Sequence, residues 1–364
     1  MELSFYNPTK IISGKDVVLK NKEIFKTFGK KAMIVTGFHS AKLNGSLSDV
    51  IQALASQSIA YIIFDRIMSN PTIDIVYEGA RLARENEVDF VIGIGGGSPM
   101  DAAKAIALLA VSDVSQKDLF SGNYKGCLPM IFIPTTSGTG SEVTQYAILT
   151  NDEAQTKTTV ASPIMFPQVA LLDGKYMMGL SKNTTINTTI DALSHAIESY
   201  LSKRATPITK MYAVEAIRLI KEQFQNLISY DLTLEARNSL LYASTLAGIC
   251  ISQTGTTAVH TMGYSLTYFK EIDHGRANGL LLGEYLKVVE KKEPKSIAPV
   301  LEALGMSTDE FSDTLDKLLG EKDKVSLEEI KTYASKAMLQ KNTKNSIIDL
   351  TQVELINIMS HVFL

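Results

Sequence analysis

Residues 90–111 read FVIGIGGGSPMDAAKAIALLAV, and they carry the clearest information about the fold. The run from Phe90 to Gly95 is short, apolar and ends in glycine, which is typical of a buried parallel strand. The part from Pro99 to Val111 has the periodicity of a helix. A strand, a glycine-rich turn and a helix in this order form the repeating unit of parallel α/β sheets.

Similar apolar runs occur on both sides of this unit, and each is followed by a turn. They lie at Lys31 to Thr36, Ile59 to Phe64 and Leu128 to Ile133. From about Asn183 onward the alternation stops, and apolar residues recur at three- and four-residue spacing. We therefore predict an α/β domain with a parallel sheet at residues 1–180 and an all-α domain at residues 181–364. The stretch from Phe166 to Leu180 contains the seam between them.

Composition limits the class of protein. The chain has 364 residues, of which 45% are hydrophobic, enough for two folded domains. A net charge of -3 gives no broad basic surface, which argues against a nucleic-acid partner. No apolar stretch approaches the roughly 20 residues of a membrane span, and the amino terminus has no export pattern. With only Cys127 and Cys250, far apart, we expect a soluble cytoplasmic protein without a membrane partner.

The turn from Gly95 to Ser98 is suited to a phosphate group. Glycine lets the backbone approach an anion closely, and the first amides of the following helix supply positive potential. A structural interpretation fits as well, because Ser98 could cap the helix in a capping box with Asp101, and Pro99 suits the first helical position. Both interpretations can hold together.

A second loop, from Pro134 to Thr144, reads PTTSGTGSEVT and follows another predicted strand. Its hydroxyls and glycine amides can donate hydrogen bonds. Ligands of open parallel sheets bind at the carboxyl ends of the strands, where both loops should lie. Two such loops favour a ligand site over two ordinary turns.

The segment from Thr189 to Ser202 has helical periodicity and places Asp191 and His195 four residues apart on one helix face. Such a pair is more often a simple hydrogen bond than a metal site. However, His260 and His274 also lie in the helical half, near glycines that permit close packing. One carboxylate and three imidazoles can form a divalent-metal site. The other histidines, for which we expect surface or packing roles, are His39 and His361.

Four motifs, GGGSPMDAAK, PTTSGTGSEVT, DALSHAIES and HGRAN, together resemble the iron-containing (group III) alcohol dehydrogenase family in order and spacing along nearly the whole chain. The resemblance implies the dehydroquinate synthase-like architecture, with a dinucleotide-binding α/β domain, a helical domain and a catalytic metal between them. The metal ligands that it implies are Asp191, His195, His260 and His274. The cofactor-binding residues that it implies are Asn70, Pro71, Gly96, Gly97, Ser98, Thr135, Thr136 and Thr139, with Asp101 and Lys157 as further candidates.

The resemblance also implies a reaction. A hydride would pass between a nicotinamide dinucleotide and a short-chain primary alcohol, a diol or the corresponding aldehyde, whose oxygen is held on the metal. Iron(II) is the metal implied, and ligands of this kind also accept zinc. A homodimer is expected by similarity. A polyol dehydrogenase, a cyclase of the dehydroquinate synthase kind and a non-catalytic metal- and nucleotide-binding sensor stay open as alternatives.

Two positions depart from the family's pattern. Many members carry a further histidine four residues after His260, where this chain has Tyr264, which could bond the substrate or simply pack in the cleft. Members that prefer NAD often place an aspartate after the first strand, where this chain has Gly37. Because a carboxylate is absent there and Ser40 and Lys42 are available as donors, we predict NADP as the preferred cofactor.

Overall fold

The structure is a computed structural model that describes residues 3–112, 114–122 and 124–364. Within these residues, six strands form a parallel sheet and two more form an antiparallel hairpin. In chain order the strands are β1 (Lys10–Ser13), β2 (Lys31–Gly37), β3 (Ala60–Ile67), β4 (Phe90–Gly95), β5 (Met130–Pro134), β6 (Tyr146–Asn151), β7 (Thr156–Ala161) and β8 (Val169–Leu172). The hairpin is β6 with β7, and the order in the sheet is β1-β8-β5-β4-β2-β3. The predicted parallel α/β architecture is confirmed.

Helices connect the strands and make up the second half of the chain. In chain order they are α1 (Val17–Lys20), α2 (Ser40–Leu43), α3 (Ser46–Ser56), α4 (Ile73–Glu85), α5 (Gly97–Val111), α6 (Lys182–Tyr200), α7 (Pro207–Glu222), α8 (Phe224–Ser229), α9 (Leu234–Thr254), α10 (Ala258–Lys270), α11 (His274–Lys292), α12 (Pro294–Leu304), α13 (Thr308–Leu319), α14 (Leu327–Leu339) and α15 (Gln352–Phe363). The regular elements of residues 182–364, a fully described stretch, are helices, as their spacing predicted. No helix in the described parts of the chain has the length and apolar character to cross a membrane.

The apolar runs identified in the sequence correspond to β2, β3, β4 and β5, with small differences at their ends. The sequence patterns did not predict β1, β8 or the hairpin. Strand β8 lies inside the stretch that we interpreted as the seam between the domains. It has only four apolar residues, and the turn residues on both sides of it indicated a connection rather than a strand. The hairpin strands are partly exposed and rich in threonine, so they form no continuous apolar run. The division at residues 180 and 181 remains a prediction.

Apolar cores cover both faces of the sheet. Met33 and Val35 of β2 pack in a core with residues of α4 and α5. Ile34 and Ile92 pack in another core with residues of α1 and α3 on the opposite face. Because successive side chains of a strand point to opposite faces, burial on both faces requires the continuous apolar runs seen in the sequence. The ends of the strands are then the places where a ligand can bind.

The order of the strands in the sheet indicates where along its edge a ligand would bind. Strand β2 pairs with β3 on one side and with β4 on the other. The connection from β2 leads to β3, and the next connection crosses back past β2 to β4, so the direction of winding reverses here. Ligands of such sheets bind at this switch point, beyond the carboxyl ends of the strands. Gly37 ends β2, Gly95 ends β4, and Pro134 at the end of β5 lies in register with Gly95. Both loops singled out in the sequence therefore leave the sheet at this edge.

Candidate active site

The two loops lie against each other. A β-carbon on Gly97 would lie 2.6 Å from Cγ2 of Thr139, and one on Gly96 would lie 3.0 Å from Oγ1 of Thr136. The N–H group of Thr135 donates a hydrogen bond to the carbonyl oxygen of Gly95, the last residue of β4, at 2.9 Å. A larger side chain on either glycine would displace a threonine, whereas glycine leaves the backbone accessible to a ligand. The structure thus brings together the residues predicted at the pyrophosphate and along the nicotinamide side.

Helix α5 begins earlier than the sequence predicted. Its first residue is Gly97, so Pro99 is the third helical residue rather than the first. The expected capping box of Ser98 with Asp101 is also wrong, because no side chain caps this helix. Ser98 Oγ instead accepts a hydrogen bond from the N–H of Asn70 at 3.1 Å. The cause is the glycine that ends β4, whose φ of 150° turns the chain into the helix before Ser98. The first amides of α5 remain suited to an anion.

Asn70 and Pro71 lie beside this helix start. The hydroxyl of Thr150 donates to the carbonyl of Asn70 at 3.0 Å. The N–H of Thr150 donates to the carbonyl of Pro71 at 2.9 Å. Since Asn70 also contacts Ser98, the two predicted cofactor residues connect α5 to the hairpin.

Gly37 and Ser40 lie at the end of β2 and the start of α2. A β-carbon on Gly37 would lie 3.3 Å from the carbonyl oxygen of Ile67. Lys42, which we expected to be an available donor, forms an ion pair with Asp65 at 2.6 Å. The side chain of Lys42 is half exposed, and the roles of Ser40 and Lys42 as donors to a cofactor remain predictions.

The four predicted metal ligands lie around one carboxylate. Asp191 Oδ1 is 4.0 Å from Nε2 of His195 and 3.7 Å from Nε2 of His260. Nε2 of His274 is 3.9 Å from the same oxygen. Ligand atoms of Asp191, His195 and His260 all lie within 4.8 Å of one another. Helices α6 and α10 therefore bring three ligand atoms within reach of one cation, and α11 places Nε2 of His274 beside the same carboxylate.

The donor set fits a divalent cation. Nε2 of His260 is buried and has no hydrogen-bond partner among the described residues. Burial lowers the pKa of His195. Burial and the positive charge of Lys157 hold the pKa of His274 well below its ordinary value. These shifts favour neutral imidazoles, whose unprotonated nitrogen can bind a metal, and Nε2 of His274 lies 3.3 Å from Nδ2 of Asn278.

Glu198 holds His260 in place. Its carboxylate is fully buried, and Oε2 is hydrogen-bonded to Nδ1 of His260. Oε1 accepts hydrogen bonds from Thr257 Oγ1 at 2.6 Å, from Thr257 N at 2.9 Å and from Val259 N at 3.0 Å. Glu198 thus satisfies the amides at the start of α10 and orients His260, whose Nε2 lies 3.7 Å from Asp191. Carboxylates orient metal-binding histidines in this way.

Glu198 and His260 each favour the charged form of the other. Burial raises the pKa of Glu198, but His260 outweighs it, and the pKa ends below its ordinary value. Burial lowers the pKa of His260, but Glu198 outweighs that effect and raises it. Sequence reasoning missed Glu198, although a signal was present: it follows His195 by three residues, which puts both on one face of α6.

Helix α11 is held close to α6. Nδ2 of Asn278 donates to Asp191 Oδ1 at 3.0 Å, a contact that the sequence analysis did not anticipate. A β-carbon on Gly275 would lie 1.9 Å from the carbonyl oxygen of Asn187, so only glycine permits this approach. The glycine noted beside His274 therefore lets that imidazole reach the carboxylate.

The hydroxyl-rich loop connects the sheet to the metal cluster. The carbonyl oxygen of Gly138 lies 3.3 Å from Nδ1 of His195. Beneath the loop, buried Lys104 donates to Ser141 Oγ at 2.7 Å and to Thr144 Oγ1 at 3.0 Å. Asp101 accepts from Ser141 Oγ at 2.6 Å, so it holds the loop, and its contact with a cofactor remains a prediction.

Lys157 of β7 brings a positive charge close to the cluster. Burial lowers its pKa to about 8, and the carboxylates of Asp191, Asp101 and Asp273 oppose that effect. The described residues give Lys157 no side-chain hydrogen bond. Its ammonium group is thus available to an anionic or hydroxylated ligand beside the cluster.

Tyr264 packs on the predicted ligands. Its ring is stacked on His274 with centroids 5.7 Å apart and meets His260 edge-on at 6.4 Å. Burial raises the pKa of Tyr264, which keeps the hydroxyl protonated and able to donate a hydrogen bond. His39 and His361, in contrast, are exposed, and His361 is paired with Glu284.

Comparison with known proteins gives matches along most of the chain. Residues 8–174 match the family described as iron-containing alcohol dehydrogenase, and residues 185–363 match the carboxy-terminal domain of the Fe-containing alcohol dehydrogenase family. The chain is 34% identical over 297 residues to 1,3-propanediol dehydrogenase of Citrobacter freundii, covering 79% of this chain and 75% of that protein. It is 37% identical over 293 residues to a long-chain primary alcohol dehydrogenase of Thermoanaerobacter ethanolicus, covering 79% and 71%. A solved structure of an iron-containing alcohol dehydrogenase from Thermotoga maritima matches with a TM-score of 0.92 and 40% identity over 99% of both chains.

Proposed function

Because the chain belongs to the iron-containing alcohol dehydrogenase family, we propose that it transfers a hydride between NADP(H) and a short-chain primary alcohol, a diol or the corresponding aldehyde. In the direction of reduction, an aldehyde, NADPH and a proton give the alcohol and NADP. The observation that carries this proposal is the loop from Pro134 to Thr144, which contacts both the glycines at the start of α5 and His195 of the imidazole cluster. A dinucleotide and a substrate bound on these two sides would lie next to each other.

The metal assignment rests on the donor set around Asp191, in which three members are buried and His274 is 25% exposed. Its members are Asp191, His195, His260 and His274. Iron(II) is favoured by the family, and zinc suits the same ligands. When bound, a divalent ion would polarise the oxygen of the substrate. The chain contributes the carboxylate of Asp191, the imidazoles of His195 and His274 with lowered pKa values, and a largely buried environment that strengthens charge interactions.

The cofactor assignment rests on the edge of the sheet. We place the pyrophosphate at Gly96, Gly97 and Ser98, where the free amides of α5 are available. Thr135, Thr136 and Thr139 would lie along the nicotinamide side, whereas Asn70 and Pro71 would border the cofactor next to Ser98. The bound cofactor supplies the hydride. Lys157 and Asp101 are additional contacts in this proposal, with Lys157 better placed because Asp101 is occupied by Ser141.

The preference for NADP can be tested at Gly37. Gly37→Asp should reduce kcat/KM for NADPH relative to NADH about tenfold or more, because the new carboxylate repels a 2′-phosphate. Gly37→Asn is the control, since it makes the same close contact with the carbonyl of Ile67 without a charge. Steady-state kinetics with both cofactors measure the ratio. Equal use of NADH and NADPH by the unmodified enzyme would refute the preference.

The hydroxyl of Tyr264 can be tested as a donor to the substrate. Tyr264→Phe should lower kcat/KM about 3- to 10-fold, the usual contribution of one hydrogen bond. Tyr268→Phe, one helical turn later, is the control because its hydroxyl is bonded to Asp152 at 3.2 Å. Turnover of Tyr264→Phe that equals the wild type across a range of pH would leave Tyr264 with a packing role.

We also propose that the protein is cytoplasmic and that it forms a homodimer. Its substrate in this proposal is a small molecule. Cys127 and Cys250 are free thiols, which a reducing compartment preserves. Size measurement by light scattering tests the dimer.

The proposed reaction is tested by purifying the protein without chelator and measuring its metal content. NADPH consumption is then followed with short aldehydes, after reconstitution with iron(II) or zinc. We expect turnover that depends on metal. Stoichiometric metal without oxidation or reduction of any alcohol or aldehyde in a broad panel would refute the proposal and favour the cyclase or the sensor.

A further inference from the structure

Lys104 of α5 lies beneath the hydroxyl-rich loop that runs from Pro134 to Thr144, and its side chain is fully buried. Its ammonium group donates to Ser141 Oγ at 2.7 Å, to Thr144 Oγ1 at 3.0 Å and to the carbonyl oxygen of Tyr146 at 2.8 Å. Because an ammonium group has three N–H donors, this segment uses all of them. Lys104 therefore acts on the site through the loop and not by contact with a ligand.

Asp101, one helical turn before Lys104, holds the same segment. Oδ1 accepts a hydrogen bond from Ser141 Oγ at 2.6 Å, and Oδ2 accepts one from the N–H of Ile148 at 3.0 Å. Oδ1 also lies 3.7 Å from Nζ of Lys104. The hydroxyl of Ser141 thus accepts from the ammonium group and donates to the carboxylate. Hydrogen bonds to charged groups are shorter and stronger than neutral ones, so α5 fixes the loop firmly.

The burial of this charge is costly, and stability alone does not account for it. Burial lowers the pKa of Lys104 to about 8, and the carboxylates of Asp101 and Glu142 oppose that effect. Replacing a buried ion pair by apolar side chains is often neutral or stabilising. A buried lysine at this place is therefore better explained by the single arrangement of the loop that it specifies.

That arrangement sets two contacts of the candidate site. A β-carbon on Gly97 would lie 2.6 Å from Cγ2 of Thr139, so this threonine lies against the start of α5. The carbonyl oxygen of Gly138 lies 3.3 Å from Nδ1 of His195. Thr139 and Gly138 precede Ser141 by two and three residues, so a displacement of Ser141 would move both contacts.

Resting on the proposed function, we propose that Lys104 is a positioning residue, which holds the loop so that its threonines meet the nicotinamide end of the dinucleotide and its Gly138 carbonyl meets His195. Lys104 thereby joins the cofactor site to the metal site without touching either ligand. The adenosine and pyrophosphate end of the cofactor, which we place at the first amides of α5, does not depend on Lys104.

The test compares binding of NADPH with binding of 2′-phospho-ADP-ribose, the fragment of NADP that lacks the nicotinamide. In calorimetry on the metal-loaded enzyme, Lys104→Met should bind NADPH about tenfold more weakly than the wild type, as expected for the loss of one or two hydrogen bonds, and should bind the fragment equally well. Partial unfolding would weaken both ligands alike. NADH with ADP-ribose serves in the same way if the cofactor preference is reversed.

Two further variants support this comparison. Ser141→Ala removes the hydroxyl that Lys104 and Asp101 share, leaves the ion pair in place, and should weaken NADPH binding about threefold with no change for the fragment. It decides the question if Lys104→Met does not fold. Lys287→Met is the matched control, because Lys287 also pairs with two carboxylates, Glu284 at 2.9 Å and Asp309 at 3.1 Å, but lies outside the site.

Metal affinity gives a readout that does not depend on the dinucleotide. Competition with a chelator should show about tenfold weaker metal binding in Lys104→Met, because the Gly138 carbonyl no longer orients His195. Unchanged NADPH binding, or equal losses for NADPH and the fragment, would overturn the role at the nicotinamide, and unchanged metal affinity would overturn the link to His195. A wild type that binds no dinucleotide would instead count against the dehydrogenase proposal, and the metal affinity would still decide whether Lys104 positions His195.

Discussion

His260→Ala should lose its bound metal and reduce aldehydes on the order of 10³-fold more slowly than the wild type, because a divalent ion supplies much of the stabilisation of charge in such reactions. The substitution removes one proposed ligand from the cluster around Asp191. It also leaves Glu198 as a buried carboxylate without its imidazole partner. Metal content per subunit and kcat/KM with NADPH are the two measurements.

Two further variants separate metal binding from folding. His274→Ala removes a predicted ligand that is 25% exposed and is not bonded to Glu198, so it should lose metal with less damage to the fold. His361→Ala, at an exposed histidine paired with Glu284, should change neither quantity. Full metal content and normal turnover in His260→Ala would remove His260 from the set of ligands.

Glu198→Gln should weaken metal binding and lower kcat/KM about 10- to 100-fold, the usual cost of losing the partner of a metal-binding histidine. The amide has nearly the same size as the carboxylate but one acceptor fewer. If its nitrogen donates to Nδ1 of His260, the proton of the imidazole moves to Nε2 and blocks the lone pair that faces Asp191. If its oxygen faces Nδ1 instead, the amide nitrogen is directed at the Thr257 N–H, which is also a donor.

Competition with a chelator measures the metal affinity of Glu198→Gln, and thermal unfolding reports its stability. Glu284→Gln is the matched control, since Glu284 also pairs with a histidine, but one that is 71% exposed and lies outside the cluster. An unchanged metal affinity would mean that the backbone of α10 positions His260 without help from Glu198.

Local patterns predicted the architecture well. The apolar run, the glycines and the helical periodicity of residues 90–111 predict β4 and α5, and these elements form as a strand and a helix. The helical half follows from its three- and four-residue spacing. Such patterns are reliable because both faces of a central strand, and one stripe of a helix, must be apolar to be buried. They failed for β8 and for the hairpin, whose strands are short or partly exposed.

The candidate site was predicted in part. Spacing on α6 indicated Asp191 and His195, and glycines nearby in the helical half indicated His260 and His274. The family resemblance implied all four as ligands, and the structure places the three imidazoles around Asp191. The ion pair of Lys42 with Asp65, and the true start of α5, did not follow from the motifs.

Contacts between distant parts of the chain depend on packing. Glu198 and His260 are 62 residues apart, and Asn278 and Asp191 are 87 apart. Periodicity and turn residues specify which elements form, because they act over a few residues. Which side chains then share a proton, a cation or an ion pair depends on how α6, α10 and α11 pack, and no local spacing encodes that arrangement.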